Sequence, residues 1–324
     1  MPDNIIILSP DESERRELIV TSNDYERLME AFLDSLDVRE KTRDTYRWGM
    51  TRFFRWIQET GRQLAFMTPA DIVRFKAYLL RSDLSTLTVG SYLTAVRQFY
   101  KWTEINLIYK NIARSVSPAK GKKGIRKMHL TEEEVSRMLS ILQMKSKRDF
   151  ALVNLIIRTG LRTIEVERAN IGDIVRKDGR RILKVWGKGR EGKEDFVILN
   201  DPAWIPLRDY LKTRLNHAKN APLFVTEGKG HRGSRLSRRQ IQHLCKCALS
   251  DIGLEGHEYS AHSLRHTTAV YILKRGGDWK DVQRVLRHIS PATSQIYTAT
   301  IEDEIRLKRN PEALLDDAFK INIK

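Results

Sequence analysis

The chain holds 324 residues, room for two domains of roughly 100–200 residues each, and 41% of them are apolar, which excludes a wholly disordered chain. Lysine and arginine number 58 against 41 aspartate and glutamate, a net charge of +17 that points to a phosphate-bearing partner. Two cysteines exclude a disulfide framework, and the short Ile5–Leu8 run excludes a membrane span or signal core, so a soluble cytoplasmic protein is expected.

The charge is unevenly spread. Residues 1–37 carry three basic and ten acidic side chains, a net −7. Residues 38–120 carry +9 and residues 121–324 carry +15, so the positive field begins near Arg39. A phosphate backbone is the partner that such a field fits best.

In chain order, residues 1–20 read as a flexible tail, and a helical bundle follows over 21–113. A first helix is expected over Ser22–Leu36. In Thr42–Glu59, the residues Tyr46, Met50, Phe53, Phe54 and Ile57 recur at spacings of three and four, one apolar face of a helix that Gly61 ends. Thr68-Pro69-Ala70-Asp71 combines an N-cap, a first-turn proline and an acid, ahead of Ile72, Phe75, Leu79 and Leu80. Ser85 opens another helix, with Val89, Tyr92, Val96, Phe99 and Tyr100 on one side. Trp48, Trp56 and Trp102 are expected in the bundle core.

Residues 114–128 hold Pro118, two glycines and six basic residues without an acid, which reads as a basic linker. Lys122, Lys123, Arg126 and Lys127 in it are candidate DNA contacts. Thr131 and Glu134 form a capping box ahead of Val135, Met138, Leu139 and Leu142. Asp149–Arg158 is apolar nearly all round, hence a buried helix. Alternation around Ile174, Ile182, Leu183, Val185, Phe196 and Ile198, with turns at Asp178-Gly179 and over 187–192, predicts a small three-stranded antiparallel sheet. Helices resume over Pro202–Asn216, after the Ser237/Gln240 capping box, and over His262–Arg275, Trp279–Arg287 and Pro291–Ala299. The final stretch, Ile301–Phe319, is a charged helix. The expected catalytic unit spans 129–300 and the tail 301–324, and the fold class is mainly α with a small sheet.

Three segments concentrate unusual polar residues: Thr159-Gly160-Leu161-Arg162-Thr163-Ile164-Glu165, then His262-Ser263-Leu264-Arg265-His266, then His288 with Tyr297 nine residues on. Guanidinium groups are permanently charged forks for the non-bridging oxygens of a phosphodiester. They bind the more highly charged transition state better than the ground state. Histidine donates to those oxygens or moves a proton, and a tyrosine beside cations is a plausible nucleophile. The sequence has no cluster of acids for magnesium and no HExxH or paired CxxC for zinc. Cys245 and Cys247, two apart on a helix, point to different faces, which argues against a zinc site with His257 and His262. No metal and no cofactor is expected.

These boxes resemble the tyrosine site-specific recombinases, the integrase family of DNA breaking-and-rejoining enzymes. The likeness rests on T-G-L-R-x-x-E at Thr159–Glu165, H-x-L-R-H at His262–His266, H-x8-Y from His288 to Tyr297, and a lysine turn at Trp186-Gly187-Lys188-Gly189-Arg190. With the N-terminal bundle resembling the family's core-binding domain, it covers about 21–300. The resemblance implies that Tyr297 attacks the scissile phosphate to leave a 3′-phosphotyrosyl link and a free 5′ hydroxyl. It implies that Arg162 and Arg265 clamp the phosphate, Lys188 protonates the departing oxygen, His262 assists proton transfer and His288 hydrogen-bonds the phosphate. Glu165 and His266 are expected to support the site from behind. Arg287 departs from the family, which usually has glycine there; it implies a different helix cap or a DNA contact.

The partner implied is duplex DNA with paired recombination sites, held by a two-domain clamp, with Arg238 and Arg239 as further candidate contacts. A monomer in solution and a tetramer on DNA are expected, the tail docking on a neighbour through Leu314, Leu315 and Phe319. Integration and excision of a mobile element is the favoured role, because the tail beyond Tyr297 does not resemble the Xer-type resolvases. Resolution of chromosome or plasmid multimers is the alternative. From other classes, a swivelling topoisomerase would relax supercoils without site preference, a silent DNA-binding protein would form no adduct, and a metal-dependent nuclease would fail in EDTA.

Overall fold

Side chains that hold helix starts do most to delimit the elements. In a computed structural model, residues 22–117, 128–187, 192–228 and 232–288 are described, with single positions at 290, 301, 307, 310, 313 and 319. The chain divides into two compact units, Met1–Lys123 and Gly124–Lys324.

In the first unit, α1 (Ser22–Asp34), α2 (Glu40–Glu59), α3 (Pro69–Arg81) and α4 (Thr86–Ile105) form a bundle. Thr68 caps α3 as its spacing from Asp71 predicts: its amide donates to Asp71 Oδ2 at 2.9 Å and its hydroxyl at 2.7 Å. Arg62 and Arg74 add bonds to Oδ1 of the same carboxylate. Burial pushes the Asp71 carboxyl up, but these donors outweigh it and hold the group far below its ordinary value. Gly49 lets α2 approach α4, since a Cβ there would lie 2.9 Å from that of Ala95. The core is aromatic: Phe53 meets Phe75 edge-on at 4.9 Å, and Phe99 stands edge-on to Phe32 and Phe54.

Two expectations for this core are corrected. Trp56 is buried and Trp102 packs against the core, but Trp48 is 67% exposed, because it falls on the outer face of α2. Leu80, next to buried Leu79, is 51% exposed. Ala113 and Val116 are buried against the bundle and Arg114 pairs with Glu104, so packing runs into the start of the expected linker. Residues 118–127, with Lys122, Lys123, Arg126 and Lys127, lie outside the described residues.

In the second unit, α6 (Lys147–Thr159) is the hub, buried without a break from Ala151 to Ile157 and packed by α5 (Glu132–Lys145), α8 (Asp201–Leu211) and α10 (Ala261–Lys274). Each fully buried leucine or isoleucine there is worth about 1.5–3 kcal/mol. Thr131 and Glu134 cap α5 reciprocally, and Ser237 and Gln240 do the same for α9 (Arg238–Ser250). The antiparallel sheet has the order β1 (Ile174–Lys177), β2 (Arg180–Val185), β3 (Asp195–Ile198), with Ile174 opposite Leu183 and Val185 opposite Asp195. Asp178 and Gly179 both take positive φ, the hairpin turn that suits this dipeptide. In β3 the inward residue is Val197, while Phe196 and Ile198, which marked the strand, face out; Lys177 covers the Phe196 ring. Short α7 (Thr163–Arg168) and α11 (Trp279–Leu286) complete the unit among the described residues. Cys245 is buried and Cys247 exposed, on opposite sides of α9.

Candidate active site

The site is built where three helix ends converge: the end of α6, the start of α10 and the end of α11. Gly160 closes α6 in the left-handed region at φ 61°, and a Cβ on it would overlap Leu286 Cδ2. Only glycine meets both conditions. The chain then returns extended through Leu161 and Arg162 into α7.

Glu165, fully buried in the first turn of α7, reaches back to the Arg162 amide at 2.8 Å and to Arg162 Nη1 at 2.7 Å. Arg162 Nη2 donates to the Arg287 carbonyl at 3.1 Å. One turn into α10, Arg265 is 2% exposed and donates to the carbonyls of Gly160 and Leu286. His262, three residues earlier and so on the same face, is exposed. His288 follows α11, its amide bonded to the Gln283 carbonyl and its own carbonyl accepting from the Gln283 side chain. Burial, then the nearby Arg265, Arg162 and Arg287 charges, lower the His288 pKa to about 3, so its ring is neutral at pH 7. His266, behind Arg265, is buried edge-on to the His129 ring, and burial lowers its pKa to about 4.

The structure thus gathers Arg162, Glu165, Arg265 and His288, with His262 exposed but close enough to act electrostatically on His288, and His266 buried behind Arg265. Arg238 and Arg239 are exposed at the start of α9, where the Arg238 amide donates to Glu167. Lys188 and Tyr297, the proposed helix over Pro291–Ala299, and Leu314 and Leu315 lie outside the described residues.

Arg287 is the residue whose place the sequence leaves open between a cap and a DNA contact. It closes α11 in the left-handed region at φ 54°, which costs a non-glycine residue about 1–2 kcal/mol. Its side chain turns inward, 4% exposed, and bonds Glu165 Oε2 at 2.7 Å and the Gly160 carbonyl at 3.1 Å. Burial pushes the Glu165 carboxyl up, yet the Arg287 charge and bond, with the Arg162 amide and charge, hold it below its ordinary value. The only sign of this in the sequence is an arginine where the resembled family usually has glycine.

A mainly helical catalytic unit with a small antiparallel sheet, in which Arg162, Arg265 and His288 converge, has the architecture of a DNA breaking-and-rejoining enzyme of the tyrosine recombinase class. The family model described as the phage integrase family matches residues 128–304, and that of the phage integrase N-terminal SAM-like domain matches residues 21–104. The chain belongs to the phage integrase family, the tyrosine recombinases. Tyrosine recombinase XerD of Shewanella oneidensis is 28% identical over 285 residues, covering 84% of this chain and 91% of its own. Tyrosine recombinase XerA of Pyrococcus horikoshii is 28% identical over 294 residues, covering 90% and 94%. Among solved structures, the XerH site-specific recombinase in a post-cleavage complex with its difH substrate shares the fold at a TM-score of 0.71 and 21% identity, over 89% of this chain and 85% of that one. The lambda integrase dimer on a core site shares it at 0.67 and 17% identity, over 85% and 94%.

Proposed function

We propose that this recombinase cuts and rejoins duplex DNA at specific sites through a covalent link to Tyr297. The convergence of Arg162, Arg265 and His288 on one site carries the reading. Tyr297 Oη forms a bond to phosphorus as the bond to the 5′ oxygen breaks. His262 takes the tyrosine proton and Lys188 supplies one to the departing 5′ oxygen. Arg162 and Arg265 bind the non-bridging oxygens, whose charge grows toward the transition state, and His288 donates a hydrogen bond. A 5′ hydroxyl from another strand reverses the step and completes exchange.

Two positions support the roles of Lys188 and Tyr297. The Gly187 carbonyl accepts from Arg168, at the end of the helix that Arg162 opens. Ile301 is buried in a cluster with Val282 and Leu286, beside the arginine-bound carbonyl of Leu286. Ile301 stands four residues beyond Tyr297 in the sequence.

Kinship with Xer recombinases over nearly the whole chain weighs the biological role toward resolving multimers rather than mobilising an element. Assembly into a tetramer needs a seat for the tail of a second copy. A groove between α5, α6, α8 and α10, lined by Leu139, Phe150, Ile205 and Tyr271 together with polar Gln143 and Arg275, offers a partly apolar one, and Phe319 is 69% exposed on its own protomer.

Nicked duplexes with a randomised core, run on a denaturing gel after incubation, test the mechanism and recover the site. A covalent complex that Y297F loses is expected. No complex, or one that survives Y297F, overturns the reading. A plasmid dimer with two copies of the recovered site then separates the roles, since resolution to monomers without integration is expected.

A further inference from the structure

We infer that Arg287 is a positioning residue: it carries the charge of Glu165 so that Arg162 can leave that carboxylate and engage the scissile phosphate. The inference rests on the reading of Arg162 as a phosphate clamp.

Arg287 brackets the Arg162–Glu165 pair from both sides. Its carbonyl accepts from Arg162 Nη2, and its guanidinium binds the second oxygen of Glu165. Stability alone does not account for an arginine at this point. It sits in a backbone conformation suited to glycine, its charge is buried, and its Nε has no partner among the described residues. The side chain is also enclosed by protein, 4% exposed, with its two Nη groups donating to the carbonyls of Thr159, Gly160 and Val285 as well as to Glu165.

Its value lies in a competition. Without DNA, Arg162 spends one nitrogen on Glu165, a fully buried carboxylate. A phosphate recruiting Arg162 would strand that carboxylate if nothing else held it, at the cost of a buried unpaired charge. Arg287 removes the cost because its bond to Oε2 is independent of where Arg162 Nη1 points. Arg265, bonded to the Gly160 carbonyl that Arg287 shares, keeps the two helix ends in register. His288 is neutral and cannot replace the charge.

The test compares the wild type with R287G and the double variant R287G/E165Q. Glycine suits the left-handed cap, so a role confined to capping α11 predicts no loss. The inference instead predicts that R287G captures nicked duplex about ten- to a hundredfold more slowly at pH 7.5, the worth of one charge-assisted hydrogen bond. It further predicts partial recovery at lower pH, where Glu165 protonates, and recovery at pH 7.5 in R287G/E165Q. Equal capture by wild type and R287G, or a double variant no faster than R287G, overturns it.

A second readout needs no DNA. The gap in unfolding midpoint between wild type and R287G should widen as pH rises from 5 to 8, because Glu165 ionises into a site short of one cation. R287G/E165Q should remove that widening. Parallel curves for the three proteins overturn the inference whatever the DNA result. If the wild type captures no duplex, the phosphate-clamp reading fails separately.

Discussion

At the scale of single residues, Gly160 has the least freedom. Its carbonyl takes Arg265 and Arg287, its φ is left-handed, and its missing Cβ is the space that Leu286 fills. Gly160→Ala is expected to cost about 3 kcal/mol from backbone strain and overpacking, and to abolish DNA capture. Urea denaturation checks the first figure; a near-wild-type midpoint would contradict the close approach of Leu286. His266 and His288 give a second prediction. Their folded pKa values, about 4 and about 3, lie below the ordinary value near 6.5. The unfolded chain therefore takes up these protons first, and the stability present above pH 6.5 is lost as pH falls toward those folded values. A variant with both histidines changed to glutamine should show a flatter melting curve between pH 6.5 and 4 than the wild type. Equal slopes would refute the assignment.

At the scale of elements, caps decide where helices begin. Thr131→Ala should lower stability by about 1 kcal/mol without changing the denaturant slope, because it removes one cap and no core surface. Caps were also the most legible features in the sequence. The pairs Thr68/Asp71, Thr131/Glu134 and Ser237/Gln240 are local in the chain, and their bonds form where the spacing says. The sheet was legible for a similar reason, since Asp178-Gly179 marks its first hairpin. Facing was harder. Leu80 is an apolar residue at the edge of its helix's stripe, where periodicity does not say which side the neighbouring helix covers. Trp48 lies opposite the Tyr46–Ile57 stripe, on the outer face of α2, so only its aromatic character pointed to the core. Of the site, the residues that converge were readable by motif, but the inward turn of Arg287 was not. Its partner lies 122 positions away, and no local pattern encodes a contact made by folding two helix ends together.

At the scale of the molecule, the two units have separate cores, an aromatic one in the bundle and an aliphatic one around α6. Phe53→Ala should destabilise the bundle by about 3–5 kcal/mol and leave the unfolding of the 124–324 unit unchanged. Calorimetry on the full chain resolves this; a common shift of all transitions would show the units to be coupled. The net charge of +17 bears on DNA differently. Contacts to about 6–10 phosphates would weaken binding by roughly a thousandfold or more between 50 and 200 mM salt. A shallow slope in a filter-binding titration would mean that most of this charge faces elsewhere, as the acidic residues 1–37 are expected to do.

Leu286 occupies a mechanical crossroads. Its side chain fills the hollow left by Gly160, its carbonyl anchors Arg265, and its cluster includes Ile301, beyond the tyrosine. Leu286 therefore ties residue 301 to the carbonyl that holds Arg265. Under the proposed function, a partner that takes hold of the tail also bears on the alignment of that arginine.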